Sequence, residues 1–190
     1  MFFKSKLILE KAFYSMCGNI VIDEYKKEFE FIKNKIPVEF KNKNLIDLGC
    51  GDGTNTLRIK NIFNPISVKG YDRINSLIKS AKKKGIESYC LDLEKNEFKG
   101  ELGILWGTLH HLKSPENFLS NLKNNFQYLF IREKVSNRFF ELGKIISYDD
   151  LTSLCKKYFN KINIIEYKNK KVHSVFVFIW NENNHIHVNS

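Results

Sequence analysis

Leu45-Ile46-Asp47-Leu48-Gly49-Cys50-Gly51-Asp52-Gly53-Thr54 sets a carboxylate inside an apolar run and follows it with glycine at every second position. Alternating glycines let a backbone turn sharply, and a ligand can lie against them with no Cβ in the way. An acid within a buried strand is costly unless it meets a partner, and a cationic or hydrogen-bonding ligand at the strand's carboxyl end would be one. Asp72 closes a second apolar run, 21 positions past Gly51. At that place in a strand–helix–strand unit, a carboxylate can accept hydrogen bonds from a ribose diol. Asp92 closes a third, in Tyr89-Cys90-Leu91-Asp92-Leu93. Each has a plainer reading: a strand–helix turn for the glycines, a helix-start acid near Ser76 for Asp72, a turn residue for Asp92. Together they would converge on the crevice where open α/β sheets bind ligands.

The elements that must position these residues alternate in hydrophobic period between strand and helix, the pattern of an α/β domain. Val21, Tyr25, Phe29, Ile32 and Ile36 fall at steps of three and four, a helical lead that Pro37 ends. Strands are expected over residues 44–48, 66–71, 86–91, 102–106 and 127–131. A short helix follows the glycine turn and closes near Asn64-Pro65, and residues 75–84 form another, with Leu77, Ile78 and Ala81 inward and Gly85 as its C-terminal cap. Ser114-Pro115-Glu116 combines a hydroxyl N-cap, proline at the first helical position and an acid at the positive dipole end. Phe118, Leu119, Leu122 and Phe126 would carry that helix's apolar face. Ser147-Tyr148-Asp149-Asp150 matches a capping box with Asp150 in place of glutamate. Behind it Leu151, Leu154, Cys155, Tyr158 and Phe159 form one stripe. Residues 162–167 and 172–180, joined by Lys168-Asn169-Lys170-Lys171, read as a closing antiparallel hairpin.

With 190 residues, 43% of them hydrophobic and 27% charged, the chain suits one soluble domain and is too rich in core-formers for general disorder. No apolar run reaches the roughly 20 residues that cross a bilayer. Charge interrupts the first ten residues before a signal-peptide core can form, so secretion is not expected. Cys17, Cys50, Cys90 and Cys155 lie far apart with no CxxC pair, which argues against a zinc knuckle or a disulfide framework. Reduced, buried thiols in a cytoplasmic protein, with no metal, are the expectation. The net charge of +10 invites a nucleic-acid partner, yet only Arg58, Arg73, Arg132 and Arg138 among 31 basic residues are arginine, the side chain that binds phosphates bidentately.

On the glycine turn and the two later acids, the chain resembles the class I S-adenosylmethionine-dependent methyltransferases, in particular the small single-domain type with an LHHL element. The resemblance runs from about Asn44 to Phe130 and takes in Glu101 through Leu112, ELGILWGTLHHL. It implies a Rossmann-like seven-stranded sheet of order 3-2-1-4-5-7-6, last strand antiparallel, with helices on both faces. It implies that residues 44–180 are the methyltransferase domain, after a helical lead over 1–43 and before a polar tail over 181–190. The matching positions place the methionine part of the cofactor at Asp47, Gly49, Cys50 and Gly51. The ribose falls at Asp72, next to Arg73, and the adenine at Asp92, with a backbone contact from Leu93. The chain departs from the family at Glu101, where aspartate is common, at Gly103, and at Asn124-Asn125-Phe126, where many relatives have a proline-glycine turn. It lacks an NPPY-like or DPPY-like tetrapeptide after the fourth strand.

Trp106 could stack on adenine, face the acceptor or belong to the core. His110 and His111 are candidates for acid–base work, although the resemblance also explains them as family structure. Lys82-Lys83-Lys84 reads as a solvated helix end. Residues 13–22 could close over the cofactor as a lid or pack as a surface helix. A small-molecule acceptor is preferred, because little chain is left for a recognition domain; RNA or protein acceptors come second. A non-catalytic cofactor-binding partner subunit is the reading from another class, motivated by the short stretch between Val135 and Ile146. A nicotinamide enzyme is disfavoured by Asp47 within the strand.

Overall fold

A computed structural model describes residues 25–135 and 145–181. The chain divides into two compact units, Met1–Lys35 and Ile36–Ser190. In the first, residues 25–33 form helix α1; Val21, Cys17 and residues 13–22 lie outside the described residues, as do 136–144 and the tail past Asn181.

The second unit is one seven-stranded sheet in the order β3-β2-β1-β4-β5-β7-β6. Its strands are β1 (Asn44–Leu48), β2 (Ser67–Asp72), β3 (Glu87–Cys90), β4 (Gly100–Trp106), β5 (Phe126–Lys134), β6 (Lys161–Lys168) and β7 (His173–Trp180). Strands β1 to β5 pair in parallel, whereas β7 runs antiparallel to both β5 and β6. Order and direction are those implied by the resemblance. The crossovers carry α2 (Thr54–Phe63), α3 (Asn75–Lys83), α4 (Pro115–Leu122) and α5 (Tyr148–Tyr158). Among the described residues no helix is long and apolar enough to cross a membrane.

Alternation along β7 sorts the core into two chemistries. Val175, Val177 and Ile179 join Leu129 and Ile131 of β5 in a mainly aliphatic layer with Phe118, Leu119 and Leu122 of α4, Leu151 and Cys155 of α5, and Phe159 just past its end. Phe176 and Phe178 join the opposite, aromatic layer, where Phe130 meets Phe63 of α2 at 5.1 Å between ring centroids and Phe40 meets Phe178 at 5.2 Å. Central strands covered on both faces are buried along most of their length, and β4 and β5 are so, β5 even through its three charged last residues. The outer strand β6 instead alternates exposed and half-buried positions.

Several local expectations need correction. Ile66 precedes β2 and is 73% exposed, so the strand starts at Ser67, and Leu91 lies past the end of β3. Phe126 opens β5 and does not extend α4. The Ser114 hydroxyl makes no capping bond; its backbone N–H donates to Glu94 Oε1 at 2.8 Å, which fixes the chain's entry to α4 from outside. Ser147 does cap α5: its Oγ accepts from the Asp150 N–H at 3.0 Å, while its hydroxyl donates to Asp150 Oδ2 at 2.8 Å. Cys50 and Cys155 are buried, as expected, but Cys90 is exposed. Burial pushes the Cys155 thiol up to about 12, leaving it inert near neutral pH.

Candidate functional site

The carboxyl end of β1 runs directly into a turn in which Gly49, Gly51 and Gly53 all have positive φ, at 93°, 55° and 80°. The N–H groups of Gly49 and Cys50 both donate to the Tyr71 carbonyl, at 2.8 and 3.0 Å, tying the turn to the end of β2. The three glycines answer different demands. A Cβ on Gly49 would lie 2.5 Å from Thr108 Oγ1, and one on Gly53 2.6 Å from Ile86 Cδ1, so both are required by packing. A Cβ on Gly51 would meet nothing within 4 Å. That position is bare on its outer side, as a surface for a ligand has to be.

Asp47 sits one residue before the end of β1 and is 1% exposed. Its Oδ2 accepts from the Thr56 hydroxyl at 2.6 Å, but Oδ1 is buried with no hydrogen-bond partner. Burial pushes the carboxyl up to about 7; the Thr56 bond pulls it back, and the charge of Asp72 adds to the rise. A buried polar atom without a partner calls for an explanation, and a missing donor is one.

Asp72 ends β2. Its Oδ2 accepts from the Gly51 N–H at 3.0 Å and its Oδ1 from the Ile74 N–H at 2.8 Å, so β2 holds the outer rim of the turn. Burial raises its pKa above the ordinary value, against those two backbone bonds and the positive charge of exposed Arg73. Each carboxylate oxygen keeps a second acceptor position, enough for a pair of vicinal hydroxyls. Asp52, by contrast, is occupied within the protein: it accepts from the Thr54 N–H at 3.0 Å and pairs with Lys84.

Asp92 lies in the turn two residues after β3 and does not end that strand. Its Oδ1 accepts from the Glu94 N–H at 3.1 Å, the bond of a turn residue, and its side chain is 39% exposed. Leu93 is buried in the aliphatic layer. The Cys50 side chain packs toward β2, where a Cβ on Gly70 would lie 2.8 Å from its Sγ; Cys50 thus serves the turn through its backbone. Trp106 takes the core reading: it is buried between Phe130 and Phe176, at 6.2 and 6.1 Å between centroids, with the Arg132 guanidinium 5.6 Å from its ring. His110 and His111 share a 3-10 turn, Leu109–His111, just after β4. Their rings are 3.9 Å apart, but only His110 is buried.

Sequence reading missed the charged end of β5. Arg132, Glu133 and Lys134 are all buried there, with Arg132 Nη2 donating to Ser174 Oγ at 3.0 Å. Three consecutive charges continuing an apolar strand were the available signal.

The arrangement fits S-adenosylmethionine on two observations of this chain: the orphaned, buried oxygen of Asp47 and the bare side of the turn at Gly51. The fit is poorer at Asp92, which lies beyond the end of β3 with Lys95 Nζ 3.7 Å from its Oδ2.

The sequence matches no protein-family model and no curated protein. Solved structures are similar in fold. A S-adenosylmethionine-dependent methyltransferase from Clostridium acetobutylicum superposes with a TM-score of 0.66 at 13% identity, covering 90% of this chain and 98% of that one. The N-terminal domain of EvdMO1 with SAH bound gives 0.59 at 14% identity, over 83% and 79%. The [4+2]-cyclase SpnF gives 0.64 at 10% identity, over 81% and 80%. The chain therefore has the seven-stranded Rossmann-like fold of S-adenosylmethionine-dependent methyltransferases of known structure.

Proposed function

We propose that the chain is an S-adenosylmethionine-dependent methyltransferase acting on a small molecule. The observation that carries this is the combination at one strand end of a buried carboxylate oxygen lacking a donor with a positive-φ glycine open on its outer side. A turn made only to join strand and helix has no need of the first; the second recurs at Gly85, which merely follows the end of α3, and gains its meaning from lying beside Asp47. Bound there, the cofactor would supply an electrophilic methyl group on a sulfonium. Asp47 and the Gly49–Gly51 backbone would take the amino-acid end, Asp72 the ribose hydroxyls and the turn at Asp92 the base. What this protein adds is orientation, since holding two reactants in line is worth up to about 7–11 kcal/mol in well-aligned cases.

A small-molecule acceptor is favoured because, among the described residues, the second unit is occupied by the sheet, its crossovers and short connections. The likeness to a cyclase makes turnover the decisive test, because a shared fold does not carry a shared reaction. Incubation with methyl-labelled cofactor and fractionated cell extract should place label in the low-molecular-weight fraction. Label in RNA or protein would redirect the acceptor, and a protein stabilised by NAD but not by SAH would end the reading.

A further inference from the structure

Helix α2 starts with two opposed demands on one residue. Its N-cap position is Gly53, which has no side chain to satisfy the first amides of the helix. Asp52 does so instead: its Oδ1 accepts from the Thr54 N–H at 3.0 Å and its Oδ2 from the Thr54 hydroxyl at 2.9 Å. A carboxylate also suits the positive end of the helix dipole. Burial works to raise its pKa, but Lys84 and the two bonds from Thr54 bring it below the ordinary value, so the group is ionised at neutral pH. Yet Asp52 directly follows Gly51, about 3.8 Å away between Cα atoms, and Gly51 is the position left bare for a ligand. After Asp47 and Asp72 it is a third carboxyl group at one turn.

Lys84 answers that charge. It is the C-cap residue of α3 and closes the lysine run that reads as solvated in the sequence, but its ammonium is spent on the turn. Nζ donates to Asp52 Oδ2, to the Thr54 hydroxyl oxygen at 2.6 Å and to the Asp52 carbonyl at 3.0 Å. Three acceptors match the three N–H groups of an ammonium. An exposed lysine–aspartate pair is ordinarily worth little; this one is half-exposed and fastened to the turn at a hydroxyl and a carbonyl as well. Packing brings the two elements together. A Cβ on Gly53 would lie 2.6 Å from Ile86 Cδ1 and 3.1 Å from Ala81, so the turn rests against the end of the helix that carries Lys84.

Resting on the methyltransferase reading, we propose that Lys84 is a positioning residue for the carboxylate of the cofactor: it cancels the charge that α2 needs at Asp52, so that a turn with three acids about it still admits an anionic group. The amino-acid end of S-adenosylmethionine carries an ammonium and a carboxylate. Asp47 suits the first, whereas the second has to lie against the turn within the field of Asp52. Lys84 acts through Asp52 and not on the ligand itself. A nucleoside thioether that lacks the amino-acid end brings no carboxylate to the turn and is indifferent to the pair.

The test is calorimetric titration of SAH and of 5′-methylthioadenosine, which keeps nucleoside and sulfur but lacks the amino-acid end, into the wild type, Lys84→Met, Asp52→Asn and the double variant. Lys84→Met should bind SAH about fivefold more weakly or worse, while its affinity for 5′-methylthioadenosine changes less than about twofold. Raising the salt concentration should shrink the loss for SAH. Asp52→Asn keeps an oxygen for the Thr54 N–H and leaves the ammonium its other two acceptors, so it should bind SAH at least as tightly as the wild type. The double variant should return to within about twofold of the wild type for SAH. A brace that merely stiffens the turn behaves otherwise: breaking it from either side weakens both ligands, and removing both partners restores nothing. Parallel loss of both ligands in Lys84→Met overturns the inference and leaves the methyltransferase reading standing. Weaker SAH binding in Asp52→Asn does the same, whether or not Lys84→Met folds. Failure of SAH to bind the wild type removes that reading, and the role of Lys84 with it.

Discussion

Gly49 and Gly51 stand two residues apart in one turn and have opposite surroundings, so alanine separates packing from ligand contact. At Gly49 it must accept φ +93 and a 2.5 Å approach to Thr108 Oγ1, which should cost roughly 3 kcal/mol or more in urea unfolding. At Gly51 only the positive φ is penalised, about 1–2 kcal/mol, yet affinity for SAH should fall about tenfold or more because the new methyl takes the ligand's place. Asp47 makes a different prediction. Its folded-state pKa of about 7 lies above the ordinary 3.8, so its contribution to stability is complete below 3.8 and is lost as pH rises through about 7. The gap corresponds to roughly 4 kcal/mol across that window. Chemical denaturation at pH 4 and pH 8 should show this loss in the wild type but not in Asp47→Asn. If the cationic end of the ligand pairs with the ionised form, SAH should bind about tenfold more tightly at pH 8 than at pH 6, and Asp47→Asn should abolish that difference.

At the scale of elements, the two serine-started helices differ in a way the sequence did not show. Ser147→Ala should cost about 1 kcal/mol, because it removes a capping bond that the structure contains. Ser114→Ala should stay within about 0.5 kcal/mol, because its hydroxyl caps nothing; thermal melts of both variants decide this. Strand β5 taught the larger lesson. Arg132, Glu133 and Lys134 end the apolar pattern at Ile131, yet the strand runs on and pairs with β7 as far as Ser174. Arg132 meets Ser174 of β7 and Glu133 meets the turn after β4, both beyond the reach of any local window. The strand cores, the β6–β7 hairpin and the glycine turn were legible because hydrophobic period and positive-φ residues are local signals. Strand order was legible only through resemblance.

For the whole molecule, the sequence showed which residues meet at the ends of β1 and β2, since Asp47 precedes the glycine turn and Asp72 accepts from the Gly51 N–H. It was opaque where a side chain's direction was at issue. Cys50 turns toward Gly70, Trp106 turns into the aromatic layer, and Asp92 closes its own turn. Glu133 escaped notice altogether, since a single acid in a charged triplet carries no local mark of its bond to His110. The claim on which the account depends is that β1 and β2 together hold a nucleoside-bearing sulfonium cofactor, and calorimetric titration of SAH into the wild type and Asp72→Ala tests it most directly. Saturable one-to-one binding, weakened roughly 5- to 150-fold by loss of 1–3 kcal/mol of charged hydrogen bonds in the variant, is the predicted result. Absence of saturable binding to the wild type, or equal affinity in a folded Asp72→Ala, would contradict it.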